Sequence, residues 1–192
     1  MSDDYFQEVH FDRINFSNTP FIKGDYENCT FSNCNFSEID ISNTQFLECG
    51  FTNCNLSSAT IVKSSFQECN FNGCKLLGLH FEGCNHFGFS VNFNNCQLNH
   101  SSFYQVKMAK TKFQACNLEE VDFSEANLES SVFHECTLKS ATFEQTILEK
   151  CDFTTATHYI IDPDNNSIKK SKFSLSGIPG LLRKYKIVIQ QL

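Results

Sequence analysis

Residues 91–153 read VNFNNCQLNHSSFYQVKMAKTKFQACNLEEVDFSEANLESSVFHECTLKSATFEQTILEKCDF. Every fifth residue in this stretch is large and apolar: Phe93, Leu98, Phe103, Met108, Phe113, Leu118, Phe123, Leu128, Phe133, Leu138, Phe143, Leu148 and Phe153. A period of five is neither the 3.6 of an amphipathic helix nor the 2 of an ordinary strand. Repetition at a fixed short period is the mark of a solenoid. The pattern extends upstream through Phe6, Phe11, Phe16, Phe21, Tyr26, Phe31, Phe36, Ile41, Phe46, Phe51, Leu56, Ile61, Phe66, Phe71, Leu76 and Phe81. Between Phe81 and Phe93 there are twelve steps where ten would keep register.

A longer period lies inside the first. Phe11, Phe31, Phe51 and Phe71 are twenty apart, and so are Phe93, Phe113, Phe133 and Phe153. Leu98, Leu118 and Leu138 form a third column, and Phe103, Phe123 and Phe143 a fourth. Twenty is four fives, so each coil has four sides and like stacks on like. Coils joined by backbone hydrogen bonds rise ~4.8 Å each, and about eight of them make a rod roughly 40 Å long.

The cysteines keep the same register. Cys29, Cys34, Cys49, Cys54, Cys69, Cys74, Cys96, Cys116, Cys136 and Cys151 each stand two residues before an apolar centre, and Cys84 stands two before His86. That position otherwise holds small residues such as Ala59, Ser64, Ser101, Thr111 and Ala126. It reads as a second inward site, where free cysteine acts as a small hydrophobe. The C-x4-C spacing is wrong for zinc. Stacked cysteines direct their Cβ bonds in parallel, which opposes disulfides. An odd count of 11 with no secretory leader in view predicts reduced thiols and a cytoplasmic protein. No stretch is apolar enough to span a bilayer.

Two segments depart from the repeat. The first is the register break from Glu82 to Asn92, where His86 falls on a would-be centre slot and Phe87 and Phe89 have no assigned inward slot; Asn85, His86, Phe87 and Phe89 are its candidate loop residues. It is either a passive bulge or a functional loop. The second is the C-terminus. The register survives at Ile168 and Phe173, after which Ser176–Tyr185 reads as a short helix, with Ser176 as its cap and Pro179 near its first turn. Lys186–Gln190 reads as a terminal strand. The domain division is therefore 1–175 for the solenoid and 176–192 for a helix–strand module. Ile178, Leu181, Leu182, Tyr185, Ile187, Val188 and Ile189 offer more apolar surface than one cap requires, which points to a homodimer contact. The alternative is a monomeric cap.

Segments such as Cys54-Asn55-Leu56-Ser57-Ser58, Cys116-Asn117-Leu118-Glu119-Glu120 and Ala126-Asn127-Leu128-Glu129-Ser130 match the A(D/N)LXX pattern of the pentapeptide-repeat family. The resemblance covers roughly residues 6–175 and implies an all-β fold, a right-handed quadrilateral β-helix. The tail, with Asp162-Pro163, Ile168, Phe173, Leu181-Leu182 and Ile187-Val188-Ile189, resembles the C-terminal module of the quinolone-resistance (Qnr) pentapeptide proteins. That likeness implies a dimeric rod whose acidic surface imitates duplex DNA and engages type II topoisomerases. The chain departs from enterobacterial Qnr proteins in lacking long projecting loops.

Charge is banded. Residues 1–60 carry nine acids and two bases, residues 114–153 another nine and two, whereas 154–192 carry two acids and six bases. Glu119, Glu120, Asp122, Glu125, Glu129, Glu135, Glu144 and Glu149 all avoid the inward slots and are the candidate partner-binding residues. A net charge of −7 disfavours a direct grip on nucleic acid and suits a basic partner, unless it serves solubility alone. The six histidines show no metal-ligand or triad spacing and no Gly-rich phosphate loop is present, so no catalytic, metal or cofactor site and no small-molecule substrate is expected. Two readings follow: a DNA-mimicking rod that binds gyrase or topoisomerase IV, or an interaction scaffold for an unrelated protein.

Overall fold

The computed structural model describes residues 4–190. The chain winds into a parallel β-solenoid of about eight coils with a short helix at its C-terminal end. Strands are only two to four residues long, because a corner interrupts the backbone in every repeat. One sheet of nine strands, all paired in parallel, runs the length of the rod from His10–Asp12 to Lys172–Phe173. A second sheet of four strands joins Tyr5–Gln7, Asp25–Glu27, Gln45–Leu47 and Ser65–Gln67. Isolated bridges such as Asn35↔Asn55 and Asp122↔Thr142 continue the ladder on the other sides.

The register proves the twenty-residue coil. Phe31 lies on Phe51 and Phe113 on Phe133. Across the break the offset becomes twenty-two, with Phe71 on Phe93. The two Phe columns separated in sequence are thus one column of nine: Phe11, Phe31, Phe51, Phe71, Phe93, Phe113, Phe133, Phe153 and Phe173. Its successive rings stack with centroids 4.6–5.4 Å apart. A second column, Phe81, Phe103, Phe123 and Phe143, meets it edge to face, as in the 5.9 Å contact of Phe113 with Phe123. Offset stacks and T-shaped pairs are the two favourable aromatic geometries, and a four-sided coil supplies one along the axis and the other across it.

The corners have their own rule. The residue two after each centre takes a positive φ in nearly every repeat, as at Asn33 (57°), Asn53 (53°), Glu125 (56°) and Lys150 (59°). No Val, Ile or Thr has a positive φ among the described residues. Branching at Cβ makes that left-handed region costly, whereas Asn enters it readily. Thr155 stands at this corner position after Phe153 and does not adopt it. The repeat falters just beyond.

All eleven cysteines are buried and free, as the register implied. The structure adds a role that their size alone did not show. Ten of the eleven thiols reach a carbonyl of the coil before, as Cys34 to Phe11 (3.5 Å), Cys54 to Phe31 (3.3 Å), Cys74 to Phe51 (3.4 Å) and Cys96 to Phe71 (3.4 Å), while Cys136 reaches the nearer carbonyl of His134 (3.4 Å). Ser64 and Thr146 donate in the same way to Ile41 (2.7 Å) and Phe123 (2.9 Å). The inward site thus suits small side chains that can donate a hydrogen. Burial pushes the thiols of Cys49, Cys84 and Cys151 up to about 12.

The two irregular segments correct the sequence reading. At the break, Asn85 still pairs with Ser65, twenty back, while Val91 pairs with Cys69, twenty-two back. The extra residues are absorbed between them. Phe89 is not slotless: it is buried beside Phe81, with centroids 6.1 Å apart, while His86 is only half-buried and Phe87 projects into solvent. At His158, a position that should face inward, the backbone turns to φ 61° and exposes the ring, and Tyr159 enters the core instead.

The C-terminal segment is a short mixed helix, 3-10 over Leu175–Gly177, α over Ile178–Leu182 and 3-10 over Arg183–Tyr185. Ser174 rather than Ser176 caps it, accepting from the Gly177 amide at 3.2 Å. Gly177 and Gly180 let the helix lie on Tyr159: an added Cβ would sit 1.8 Å from the Tyr159 hydroxyl and 2.2 Å from its carbonyl oxygen. Leu181 is buried and Ile178 packs against the same core. The expected strand at 186–190 does not form, because no neighbouring strand pairs with it.

Candidate interaction surface

The four sides are best named by the centres they cover: the long Phe column, the Leu98–Leu118–Leu138 column, the Phe103–Phe123–Phe143 column and the Met108–Leu128–Leu148 column. The eight acids singled out by sequence all lie outside the core. They do not share one side. Glu119 and Glu120 follow Leu118, while Asp122, Glu125 and Glu144 belong to the Phe123 side. Glu129 and Glu149 stack on the Leu128 side, and Glu135 follows Phe133 at a corner. They make a belt around the rod rather than a stripe along it, because the chain crosses all four sides every twenty residues.

Two acids of that belt are paired with lysines, and most of the others bond to histidine or neutral groups. Lys139 reaches Glu119 at 2.6 Å and Lys150 reaches Glu129 at 2.5 Å, and these lysines hold both carboxyls below the ordinary range. His100 stands 3.1 Å from Glu120 and His134 3.7 Å from Glu135. Tyr104 and Gln105 donate to Glu125 at 3.0 and 2.8 Å. Glu149 accepts from Ser167 at 2.9 Å. Asp122 caps the Ser124 amide at 2.9 Å.

The N-terminal half carries a more open row. Glu8, Asp25, Glu27, Glu48 and Glu68 all lie on the side of Phe6, Tyr26, Phe46 and Phe66 or at the corner that follows it. None forms an ion pair with a described Lys, Arg or His. Their bonds are to neutral groups, from Gln45 to Asp25 at 2.8 Å and from Tyr5 to Glu27 at 2.6 Å. Sequence reasoning passed over this row. The signal was available in the twenty-residue column of Glu48 and Glu68. On the adjacent side Asp40 is different: Lys23 at 2.6 Å draws its pKa down to about 2.

Of the break residues, Asn85 caps the Phe87 amide at 3.0 Å, His86 Nε2 lies 3.3 Å from the Phe81 carbonyl, Phe89 is internal and Phe87 is 82% exposed. Of the C-terminal residues, Leu181 and Ile178 serve the cap within one chain, and Leu182 is half-buried. Tyr185, Ile187, Val188 and Ile189 remain exposed, joined by Leu175, which the sequence reading did not single out. Among the described residues no three His, Cys, Asp or Glu side chains come together to hold a metal ion, and no helix is long and apolar enough to cross a membrane.

Four-sided coils, a laddered core and side chains displayed on every face define a parallel β-solenoid of the five-residue-repeat class. The family model for the pentapeptide repeat region matches residues 4–81 and 79–153, and the chain belongs to that family. No curated protein gives a sequence match. Among solved structures, the chain is similar to full-length QnrB1, a plasmid-mediated fluoroquinolone resistance protein. The two are 20% identical over 96% of this chain and 100% of that one, with a TM-score of 0.57. A trypsin-treated QnrB1 variant aligns over 98% of this chain and 92% of its own, at 18% identity and a TM-score of 0.60. At these identities the likeness is one of fold.

Proposed function

We propose that this chain is a non-enzymatic binding protein, an acidic rod that presents DNA-like rows of carboxylates to the basic DNA-binding surface of a type II topoisomerase, gyrase or topoisomerase IV. The observation that carries the reading is the row of Glu8, Asp25, Glu27, Glu48 and Glu68, which runs along one side from coil to coil with no ion pair to a cation among the described residues. Glu129 and Glu149 extend the same side toward the C-terminus. The likeness in fold to a fluoroquinolone resistance protein supports it, and quinolone protection belongs to the same proposal. The exposed Tyr185, Ile187, Val188 and Ile189 fit a homodimer that would double the rod. Free buried thiols fit a reducing, cytoplasmic setting.

A gyrase supercoiling assay at low salt, with and without a fluoroquinolone, tests the proposal. Wild-type protein at micromolar levels should inhibit supercoiling or protect the enzyme, and the effect should fade as salt screens the attraction. Glu48→Lys with Glu68→Lys should relieve it more than Glu129→Lys with Glu149→Lys, with Tm unchanged. Absence of any effect on gyrase or topoisomerase IV at low salt would refute the reading. The scaffold reading would then stand, and the pairs Glu119–Lys139 and Glu129–Lys150 between adjacent coils favour it, since they leave less free charge.

A further inference from the structure

Where the helix crosses the last coils it leaves a cleft of about 600 Å³. Its wall carries Arg183, His158 and Lys139, the last already paired with Glu119 at 2.6 Å, and no carboxylate lines it. In a chain of net charge −7 this is a local reversal of sign. Ala156, Ile160 and Pro179 supply an apolar floor.

Three features show how the fold produces the cleft. The repeat fails here: His158 leaves the inward slot that its number predicts and turns to the surface at φ 61°. Gly177 and Gly180 bring the helix backbone down onto Tyr159, and any side chain at either would lift it. The adjacent cations at the helix end are also divided between two tasks. Lys184 takes both Asp162, at 2.6 Å, and Asp164, and is held well above the ordinary lysine range by them. Arg183, one residue earlier, has no ion-pair partner among the described residues and borders the cleft. A guanidinium presents paired N–H donors that match a carboxylate or phosphate. A cavity of this size with an apolar floor and a few convergent polar groups has the make-up of a small-molecule site.

We propose that this cleft binds a small organic anion, a carboxylate or phosphate head on an apolar body, with Arg183 gripping the head and His158 beside it. The site is independent of the acidic row and of topoisomerase binding. Phenyl phosphate titrated into the full-length protein, followed by amide NMR, tests it. Saturable shifts are expected at Thr157, Gly177 and Gly180. Inorganic phosphate, lacking the apolar body, should bind more weakly. Arg183→Gln should weaken phenyl phosphate binding about tenfold, the scale of one charge-assisted pair, while Lys169→Gln leaves it unchanged. His158→Gln provides a second variant should Arg183→Gln alter the fold. Shifts that never saturate, that spread evenly over all the C-terminal lysines, or that survive both cleft variants would overturn the assignment.

Discussion

The coil that carries His86 and the coil that carries His158 meet the same problem and solve it differently. In each, a histidine falls where the five-residue register calls for an apolar centre. In each, an aromatic residue further along the chain enters the core in its place: Phe89 in the first, Tyr159 in the second. The first coil needs two extra residues to do so, and every later pairing is displaced to an offset of twenty-two across the break. The second needs none. Thr137 still pairs with Thr157 and Ile147 with Ser167, twenty apart. The first repair throws Phe87 outward, and the second shapes the floor on which the C-terminal helix rests. A stacked aromatic core tolerates a fault in the backbone more readily than a gap in a column, because an unfilled slot forfeits contacts on several sides at once.

That contrast can be broken first at a coil with no fault. Phe113, stacked between Phe93 and Phe133 at 5.2 and 5.0 Å, should cost about 3–5 kcal/mol when replaced by Ala, measured by urea denaturation. Phe89→Ala should cost less, about 2 kcal/mol, because the bulge around it can relax into the space. Equal losses would mean that the break is packed as tightly as the regular coils.

The thiols sharpen the comparison through pH. Cys84 lies within the break, while Cys49 and Cys151 lie in regular coils, and burial raises all three to about 12. A thiol whose pKa is raised on folding stabilises the native state while it stays protonated. That contribution is complete below the unfolded value of about 8.5 and is lost as pH climbs toward 12. The urea midpoint should therefore fall between pH 8 and 10, and Cys84→Ala should diminish the fall. A midpoint indifferent to pH would show that these thiols are not held protonated by burial. The smallest effect should come from Phe87, which is 82% exposed: Phe87→Ala should change stability by no more than about 0.5 kcal/mol, read from Tm.

Five- and twenty-residue periods specified most of this molecule before any coordinate. Apolar centres at every fifth place can be buried together only by a coil that turns a corner each time, so Phe113, Leu118, Phe123 and Leu128 had to face one axis. The inward small site and the free cysteines followed from the same spacing. What spacing could not decide was anything set by partners distant in the chain. Whether Phe71 stacks on Phe93 depends on where two surplus residues are absorbed, and that is a contest of packing among several coils. Whether residues 186–190 form a strand depends on a neighbour to pair with, not on their own β-branched content. Which acids remain without a cation depends on lysines one coil away, twenty residues on for Glu119 and Lys139 and twenty-one for Glu129 and Lys150, and a charge count along the sequence adds such partners to the total without saying who meets whom. The repeat is a local property, because each centre has to satisfy only the axis. The surface is a tertiary one, because side chains brought together by coiling set its charge.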